Sequence, residues 1–466
     1  MKRKLTTQHQ TLLGDSTTPV SIYLKLRDLY SGSVLLESSD FHHLENCFSF
    51  ICLEPIADFV ADEEKILTRF DGEQPRIGPS DGSDVIQQSL KEFMESFEFI
   101  DNGDHGNGFF GYMNFESARF FDKLPAPSKQ DGALIPAVRY HLYRFVISIN
   151  HFNDRLTITE NLLPGEESRL DEIVFRIKNR PIVNYPFETT QQEGANMDGR
   201  AYKQLVARAK EHCQRGDVFQ LVLSRRFTRG FKGDEFNVYR ALRSINPSPY
   251  LFYFEFGDYR IMGSSPEMQI KTEGQQAMIN PIAGTFRRSG NDREDKELAG
   301  RLIADEKENS EHVMLVDLAR NDLSKSTQDV QVVKDKEIQF YSHVLHIVST
   351  VSGRMQDARD GIRVLTDTFP AGTLTGAPKI RAMELIDQYE PEKRNFYGGC
   401  IGHIGIDGSI NHAITIRSFL SIGNELHYQA GAGITHQSIE ERELAEVDNK
   451  LQALRDAIDR AKYIHT

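Results

Sequence analysis

The sequence has few cysteines, no excess of basic residues and no long hydrophobic run. Its four cysteines, Cys47, Cys52, Cys213 and Cys400, have neither metal-ligand spacing nor the density of a disulfide framework. The net charge of −13 at pH 7 argues against nucleic acid as a partner, because a phosphate-binding surface is normally basic. No stretch is apolar and long enough to span a membrane, and no apolar segment follows the basic start as in a signal peptide. These absences predict a cytoplasmic protein with reduced thiols.

The 466 residues are enough for two or three domains with a large buried core. Short apolar runs between turn residues predict strands in the first part of the chain. A polar segment at 188–199 then resembles a connection, so we predict an N-terminal region at 19–186 and a C-terminal region at 197–462. Strands and helices are grouped rather than alternating. The predicted fold is therefore α+β, with largely antiparallel, sandwich-like sheets flanked by helices.

Two pairs of glutamates accompany predicted helical stripes. In DEKENSEHVMLVDLARND, Glu308 and Glu311 lie three apart and so share one helical face. In SIEERELAEVDNKLQAL, a capping box at Ser438 predicts a helix start, and Glu443 and Glu446 repeat the spacing at the margin of an apolar stripe. A single pair is usually an exposed acidic face. Two pairs suit one Mg²⁺ site, in which surplus carboxylates either orient waters or hold other substrate groups.

Two segments rich in small residues suit a ligand. FPAGTLTGAPK is a turn-rich loop that runs into a helix, and its free amides with the hydroxyls of Thr373 and Thr375 suit an anion. Its spacing is not that of a nucleotide-binding P-loop, whereas the carboxylates of an organic acid fit the same groups. In QAGAGI, small residues at a strand end let a ligand approach the backbone, although a tight turn is the usual explanation.

Three further side chains each have two interpretations. Arg417 follows an apolar strand, where an arginine is either a surface side chain or a fork for a carboxylate. Tyr397, beside two glycines, is equally ambiguous. His346 lies in an apolar run, where a buried, hydrogen-bonded histidine is the usual interpretation. Zinc is disfavoured, because His343 and His346 have no third ligand in register.

The segments EKENSEHVMLVDLARND, FPAGTLTGAPK, YGGCIG, AITIRS, QAGAGI and EERELAEVDNK occur in the order found in the chorismate-using enzymes. That family comprises the anthranilate, aminodeoxychorismate, isochorismate and salicylate synthases, and the sequence resembles it closely from about Gly199 onward. The resemblance implies that the glutamates hold Mg²⁺ against the carboxylate of chorismate, and that Glu267, Thr285 and His346 are catalytic. The substrate-binding residues that it implies are Gly284, Thr375, Tyr397, Arg417, Ala430, Gly431 and Gly433.

Two positions discriminate between branches of the family. Gln220 stands where the water-adding enzymes carry a lysine base, so the group that deprotonates water is missing. Ala283 stands where many aminodeoxychorismate synthases carry a nucleophilic lysine. Both residues resemble the anthranilate synthase branch.

Two N-terminal and central segments resemble the tryptophan feedback pocket of that branch. The implied tryptophan-binding residues are Leu36, Glu37, Ser38, Ser49, Pro249, Tyr250, Leu251 and Phe252. The carboxylate of Glu37 suits the amino group of an amino acid, beside the rigid wall of a Pro-Ser-Pro turn. Leu251 replaces a common methionine and Cys52 replaces a common glycine, so the affinity of the pocket is open.

The resemblance implies an anthranilate synthase large subunit for the first committed step of tryptophan biosynthesis. Ammonia adds at C2 of chorismate while the C4 hydroxyl departs with Glu267 as acid, and pyruvate is then eliminated. His346 assists one of these steps, and a separate glutamine amidotransferase subunit supplies the ammonia. The alternatives are an aminodeoxychorismate synthase component I, which aminates C4, a nucleotide-dependent phosphotransferase and a non-catalytic amino-acid sensor.

Overall fold

The computed structural model describes residues 2–38, 47–80, 82, 84–100, 106–122, 124, 134–340 and 344–464. The side chains of Thr285 and Lys307 lie outside this description, and so does His343. The catalytic role predicted for the Thr285 side chain therefore falls outside the described part of the chain.

The chain groups its strands in runs, with helices between the runs. The strands are β1 (Arg3–Leu13), β2 (Val34–Ser38), β3 (Phe48–Ala61), β4 (Lys65–Phe70), β5 (Arg76–Pro79), β6 (Phe97–Ile100), β7 (Gly108–Met113), β8 (Val138–Asn150), β9 (Arg155–Leu162), β10 (Phe187–Thr189), β11 (Gly194–Ala195), β12 (Gln220–Gly233), β13 (Tyr250–Glu255), β14 (Tyr259–Ser265), β15 (Met268–Glu273), β16 (Gln276–Ile279), β17 (Ile282–Arg287), β18 (Gln328–Phe340), β19 (Val344–Arg354), β20 (Gly376–Ala377), β21 (Cys400–Gly405), β22 (Ile410–Ile414), β23 (Ser418–Ile422) and β24 (Glu425–Ile434). The helices are α1 (Pro19–Leu26), α2 (Val85–Glu95), α3 (Leu170–Asn179), α4 (Gly199–Arg215), α5 (Phe236–Ile245), α6 (Asp292–Ala304), α7 (Glu306–Ser324), α8 (Gly361–Thr368), α9 (Gly372–Thr375), α10 (Lys379–Tyr389) and α11 (Glu440–Ala461).

The strands form two rows that share the long strands β3 and β8. The first row runs β6-β1-β9-β8-β3-β2-β13-β14-β23-β24-β12. The second row runs β5-β4-β3-β8-β7-β21-β22-β15-β16-β19, and β19 also pairs with β17 and β18. Among the described strands, the β1–β6 pairing is parallel and the others are antiparallel. The predicted α+β fold with largely antiparallel sheets is confirmed.

Strands of the two predicted regions pair directly, at β2–β13 and at β7–β21. Leu35 and Ile147 from the N-terminal region share one apolar core with Leu251 and Tyr239. The boundaries 19–186 and 197–462 stay a prediction. Within the described residues, no helix is long and apolar enough to cross a bilayer.

Two helices show how well local sequence predicts an element. Asp198 caps α4 through its side chain, and Gly216 ends that helix in the left-handed conformation at φ 80°. Helix α11 buries the predicted stripe of Val447 and Leu451, but it begins at Glu440, and its N-cap makes no side-chain hydrogen bond. The capping box predicted at Ser438 is wrong, because the Ser438 hydroxyl accepts the Thr435 N–H instead, at 3.1 Å.

Candidate active site

Two of the predicted site residues lie where the chain crosses from one row of strands to the other. Glu267 lies between β14 and β15, and Arg417 lies between β22 and β23. Backbone hydrogen bonds join these two connections. The Ile414 N–H donates to Glu267 O at 3.0 Å, and the Ser264 N–H donates to Arg417 O at 3.1 Å. The antiparallel pairing of these strands therefore places the turn that carries the acid beside the turn that carries the guanidinium.

Glu267 is partly buried, and its carboxyl accepts a hydrogen bond from the Thr373 hydroxyl at 2.8 Å. Burial raises its pKa to about 7, against the opposing effects of the Thr373 bond and the positive charge of Lys450. A carboxyl with such a pKa holds its proton through much of the neutral range. Glu267 can therefore act as a general acid.

His346 lies on β19 with its Nδ1 2.8 Å from the carbonyl oxygen of Gly284. Since a carbonyl only accepts, Nδ1 carries the proton and Nε2 carries the lone pair. Burial lowers the pKa of His346, and the nearby charge of Arg417 lowers it further. The ring is therefore neutral at neutral pH and suited to accept a proton.

Gly284 brings this histidine close to helix α7. Its φ is +66°, and a Cβ there would lie 2.8 Å from Leu302 Cδ1 and 3.2 Å from Glu308 Oε2. Only glycine fits both this backbone conformation and this contact. The turn thus places one predicted metal ligand, Glu308, beside the carbonyl that orients His346.

Arg417 has a left-handed backbone at φ 50° and a partly buried side chain. Burial lowers the pKa of its guanidinium, whereas Tyr397 and Glu446 act in the opposite direction. In the described part of the chain, no carboxylate lies within ion-pair distance of this guanidinium. A partly buried guanidinium that forms no ion pair with a described carboxylate suits the carboxylate of a ligand.

The small residues of β24 leave room for side chains of neighbouring segments to lie against its backbone. Ser224 of β12 lies opposite Gly431, and a Cβ on Gly431 would lie 3.2 Å from the hydroxyl oxygen of Tyr397. Burial raises the pKa of Tyr397 to about 12, so it stays a neutral hydrogen-bonding group. A Cβ on Gly433 would lie 2.4 Å from the side-chain nitrogen of Gln220, and Ala430 is buried in the same strand. The small residues of QAGAGI are therefore explained by close approach of side chains.

Both hydroxyls of the threonine loop have acceptors within the protein, and the predicted role of Thr375 in binding substrate stays a prediction. The Thr373 hydroxyl donates to Glu267, and the buried Thr375 hydroxyl donates to Ala371 O at 3.2 Å. Helix α9 has four residues, too few for a strong helix-terminal field. The hydroxyls expected to receive an anion therefore donate to protein acceptors, and one of them supports the catalytic acid.

The two glutamate pairs lie on separate helices, as predicted. Glu308 and Glu311 on α7 are partly buried, and so is Glu443 on α11. Glu446 is exposed and pairs with Lys450 at 2.7 Å. The described residues contain no group of three or more His, Cys, Asp or Glu side chains placed to hold a metal ion. Carboxylate oxygens nevertheless match a hard cation such as Mg²⁺, which takes one or two protein carboxylates and fills its other positions with water and substrate.

Lys450 is a site residue that the sequence interpretation missed. Its ammonium donates to Gly431 O at 2.9 Å, pairs with Glu446 and lowers the pKa of Glu267. The signal was present as a Glu-to-Lys spacing of four on one helical face. This lysine brings a positive charge to the strand that carries the small residues.

Strand pairing brings together several of the residues predicted to bind tryptophan. Glu37 lies opposite Leu251, and the neighbouring pairs are Leu36 with Phe252 and Ser38 with Tyr250. Pro249 precedes this pairing at the start of β13.

The polar groups of this cluster already have partners in the protein. Arg243 donates to both oxygens of the buried Glu37 carboxylate at 2.9 Å, and the Tyr239 hydroxyl donates at 2.6 Å. Ser49 Oγ lies 2.6 Å from His151 Nε2, and burial lowers the pKa of His151 while Glu37 raises it. An amino group that approached Glu37 would meet a carboxylate that is already hydrogen-bonded.

Residues 32–456 match the model of a protein family described as chorismate binding enzyme. The chain belongs to this family. Anthranilate synthase component 1 of Aquifex aeolicus is 35% identical over 97% of the chain and 94% of its own length. The Thermus thermophilus protein of the same name is 35% identical over 97% and 98%. The crystal structure of anthranilate synthase component I from Streptococcus pneumoniae superimposes with a TM-score of 0.74 at 28% identity, over 95% of this chain and 99% of that one. The predicted membership of the chorismate-binding family is confirmed.

Proposed function

We propose that this chain is the chorismate-aminating component of an anthranilate synthase. Relatives of that name cover nearly the whole chain at 35% identity. The observation that supports the proposal is the position of an acid, Glu267, and a guanidinium without an ion-pair partner among the described residues, Arg417, on adjacent turns, with a neutral base, His346, whose pKa the charge of Arg417 lowers. This set fits a dianionic substrate that must lose a hydroxyl and then a proton.

The binding groups act first. Arg417 forms a forked, charge-assisted contact with a carboxylate of chorismate, and Tyr397 stays protonated beside it. Lys450 adds positive charge near the backbone of Gly431. Fixing the ring in this way removes most of the entropic cost of reaching the reactive geometry.

The chemistry divides between two side chains. As ammonia attacks C2, the ring double bonds shift, the bond from C4 to oxygen breaks and Glu267 donates the proton with which the hydroxyl leaves as water. The ammonium formed at C2 then loses one proton, which restores the protonated state of Glu267 directly or through water. In the second step, Nε2 of His346 takes the proton from C2, the bond from C3 to the enolpyruvyl oxygen breaks, and the ring becomes aromatic. The enolpyruvate released gains a proton at its methylene carbon, from the His346 imidazolium or from water, and becomes pyruvate. The roles follow from the raised pKa of Glu267 and the lowered pKa of His346.

Mg²⁺ is the proposed cofactor. Glu308 and Glu311 on one helix, with Glu443 and Glu446 on the other, would hold it. When bound, it neutralises carboxylate charge and supplies Lewis-acid polarisation. Glu446 acts electrostatically on Arg417, and Glu308 lies against the turn of Gly284, so both pairs border the proposed substrate site.

The identity of the nucleophile follows from two side chains. The buried amide of Gln220 cannot deprotonate water, and Ala283 cannot form a covalent intermediate. Ammonia needs neither. The same alanine makes the C4-aminating alternative, aminodeoxychorismate synthase, the weaker candidate.

A partner, an inhibitor and a compartment complete the proposal. The name "component 1" of the relatives supports a second subunit, and we propose a glutamine amidotransferase that supplies ammonia. The cluster of Glu37 and Arg243 is the proposed tryptophan site. The four cysteines are free thiols, which supports the reducing environment of the cytoplasm.

The test is to mix the purified chain with chorismate, Mg²⁺ and ammonium and to measure product fluorescence and pyruvate, with and without tryptophan. A fluorescent aromatic amine and an equal amount of pyruvate are expected, with suppression by tryptophan. An amine that is not aromatic, formed without pyruvate, would reject C2 amination in favour of C4 amination. Thermal stabilisation by ATP would instead support the phosphotransferase alternative.

A further inference from the structure

A buried ion pair lies directly behind the proposed substrate site. Arg394 is 1% exposed and Glu390 is 4% exposed. Two bonds join them: Arg394 Nε donates to Glu390 Oε2 at 2.8 Å, and Arg394 Nη2 donates to Glu390 Oε1 at 2.6 Å. An apolar pair of the same volume often stabilises a fold as well or better, so stability alone is a poor reason for burying these charges.

The remaining donors of Arg394 reach two segments of the site. Nη1 donates to the carbonyl oxygen of Leu374 at 2.6 Å, inside the threonine loop. Nη2 donates to the carbonyl oxygen of Val222 at 2.8 Å, and Val222 lies opposite Gly433. One planar group thus sets the distance between α9 and β12.

The partner carboxylate reaches a third segment. Glu390 Oε1 accepts the Ser224 N–H at 2.8 Å and the Ser224 hydroxyl at 2.7 Å. Ser224 lies opposite Gly431, and its hydroxyl also accepts the Gln429 amide at 2.7 Å. The guanidinium carbon of Arg394 lies over the ring of Tyr397, 5.6 Å from its centre.

We propose that Arg394 and Glu390 are positioning residues for the reaction. They hold the threonine loop, the ring of Tyr397 and the small-residue strand β24 in one geometry without touching chorismate. The inference rests on the proposed function of those segments. Because a misplacement of about 1 Å in a reactive site costs on the order of a hundredfold in rate, such a frame has direct kinetic consequences.

The chain offers a matched control. Glu160 is 0% exposed, accepts Arg144 Nε at 3.1 Å, the Ser168 hydroxyl at 2.7 Å and the Arg169 N–H at 3.0 Å. It therefore has the same kinds of partner as Glu390, but it lies on β9, far along the first row from the proposed site. Glu160→Gln removes the same charge with the same change of shape.

The experiment compares Glu390→Gln with Glu160→Gln in the full chain, using ammonium, Mg²⁺ and varied chorismate. We expect similar losses of Tm in both variants. For Glu390→Gln, kcat/KM for chorismate should fall about tenfold, mainly through KM, because the displaced groups bind substrate. The control should stay within about twofold of the unaltered chain. Equal kinetic effects in the two variants, or none in Glu390→Gln, would reduce the pair to a structural role.

Arg394→Lys keeps the charge and loses the planar fork. Since an ammonium cannot bond Leu374, Val222 and both carboxylate oxygens in this arrangement, we expect a loss at least as large as in Glu390→Gln. A lysine variant with unaltered KM would overturn the inference.

Hydrogen exchange separates this inference from the proposed function. In Glu390→Gln, backbone amides of 372–376 and 396–399 should exchange faster than in Glu160→Gln. Absence of turnover in the unaltered chain would reject the proposed function while leaving this exchange comparison decisive. Equal exchange in the two variants would overturn the positioning role.

Discussion

The proposed catalytic cluster and the proposed tryptophan-binding cluster differ in whether their charged side chain has an ion-pair partner among the described residues of the protein. At Glu37, Arg243 and Tyr239 complete the hydrogen bonding of the carboxylate. At Arg417, the described residues place no carboxylate within ion-pair distance of the guanidinium. Removing one partner of a paired buried charge is costly because the other charge is left without its counter-ion, whereas removing an unpaired charge relieves a desolvation cost.

The difference concerns what each cluster requires from a ligand. A substrate carboxylate supplies the anion that Arg417 lacks, so binding removes an existing electrostatic cost. A ligand amine at Glu37 must share a carboxylate that Arg243 already holds. A ligand amine at Glu37 therefore competes with Arg243, which lies on α5, and this competition connects the proposed tryptophan-binding cluster to that helix.

The largest effect is expected from the metal glutamates. Glu311→Gln and Glu446→Gln should each abolish measurable turnover with the fold intact, because each removes a charged oxygen ligand. Turnover at saturating chorismate is measured against Mg²⁺ concentration, with circular dichroism as a check of folding. Full turnover in either variant would remove that glutamate from the metal site.

The second-largest effect is expected at Arg417, the charged side chain without an ion-pair partner in the described part of the chain. Arg417→Met should reduce kcat/KM about a thousandfold, through loss of the forked carboxylate contact. The same change should leave Tm unaltered or raise it, because an unpaired charge leaves the interior. Steady-state kinetics and thermal melts measure the two quantities.

Arg243→Met is the matching substitution in the tryptophan-binding cluster, and we expect the opposite change in stability. It leaves the buried Glu37 carboxylate without its counter-ion, and because the Arg243 side chain is 41% exposed, the free energy of unfolding should fall by about 1–3 kcal/mol. Tm changes of the same sign in the Arg417 and Arg243 variants would contradict the contrast between the clusters.

A smaller effect is expected at the acid. Glu267→Gln should lower kcat by about a hundredfold, within the range for loss of a general acid. Burial raises the pKa of Glu267 to about 7 from an ordinary value of 4.5, so its contribution to stability is complete below pH 4.5 and is lost as pH rises through 7. Glutamine cannot ionise. The variant should therefore be more stable than the unaltered chain above pH 7, by about 1–3 kcal/mol, and no more stable at pH 4.5. Denaturant melts at the two pH values test this sign.

Much of the site was accessible from sequence because its residues are close along the chain. Arg417 directly precedes β23, Gly431 and Gly433 lie on the next strand, β24, and their small or charged side chains interrupt apolar runs. The α+β fold followed in the same way from grouped strands and helices.

The missing part of the site concerns partners that are distant in sequence. Glu37 and Arg243 are 206 residues apart, and Glu267 and Thr373 are 106 apart. No local pattern tells which donor reaches a given carboxylate, since that depends on strand pairing. The Ser438 capping box fails for a related reason: a hydroxyl that can cap a helix can also accept a nearer loop amide.

The smallest effect on kcat is expected at Arg243, where a substitution should alter mainly the inhibition by tryptophan. Arg243→Lys keeps a positive charge beside Glu37 but cannot donate to both carboxylate oxygens from one plane. We expect ammonia-dependent kcat within about twofold of the unaltered chain, because Arg243 contacts no proposed catalytic group. The tryptophan concentration for half inhibition should change about tenfold, since about 1.4 kcal/mol of interaction at this pair is altered. Lys203→Arg, at an exposed pair with Glu441, is the control and should change neither quantity. Unaltered inhibition in Arg243→Lys would move the tryptophan site away from Glu37, while a large loss of kcat would show that the two clusters are coupled even without an inhibitor.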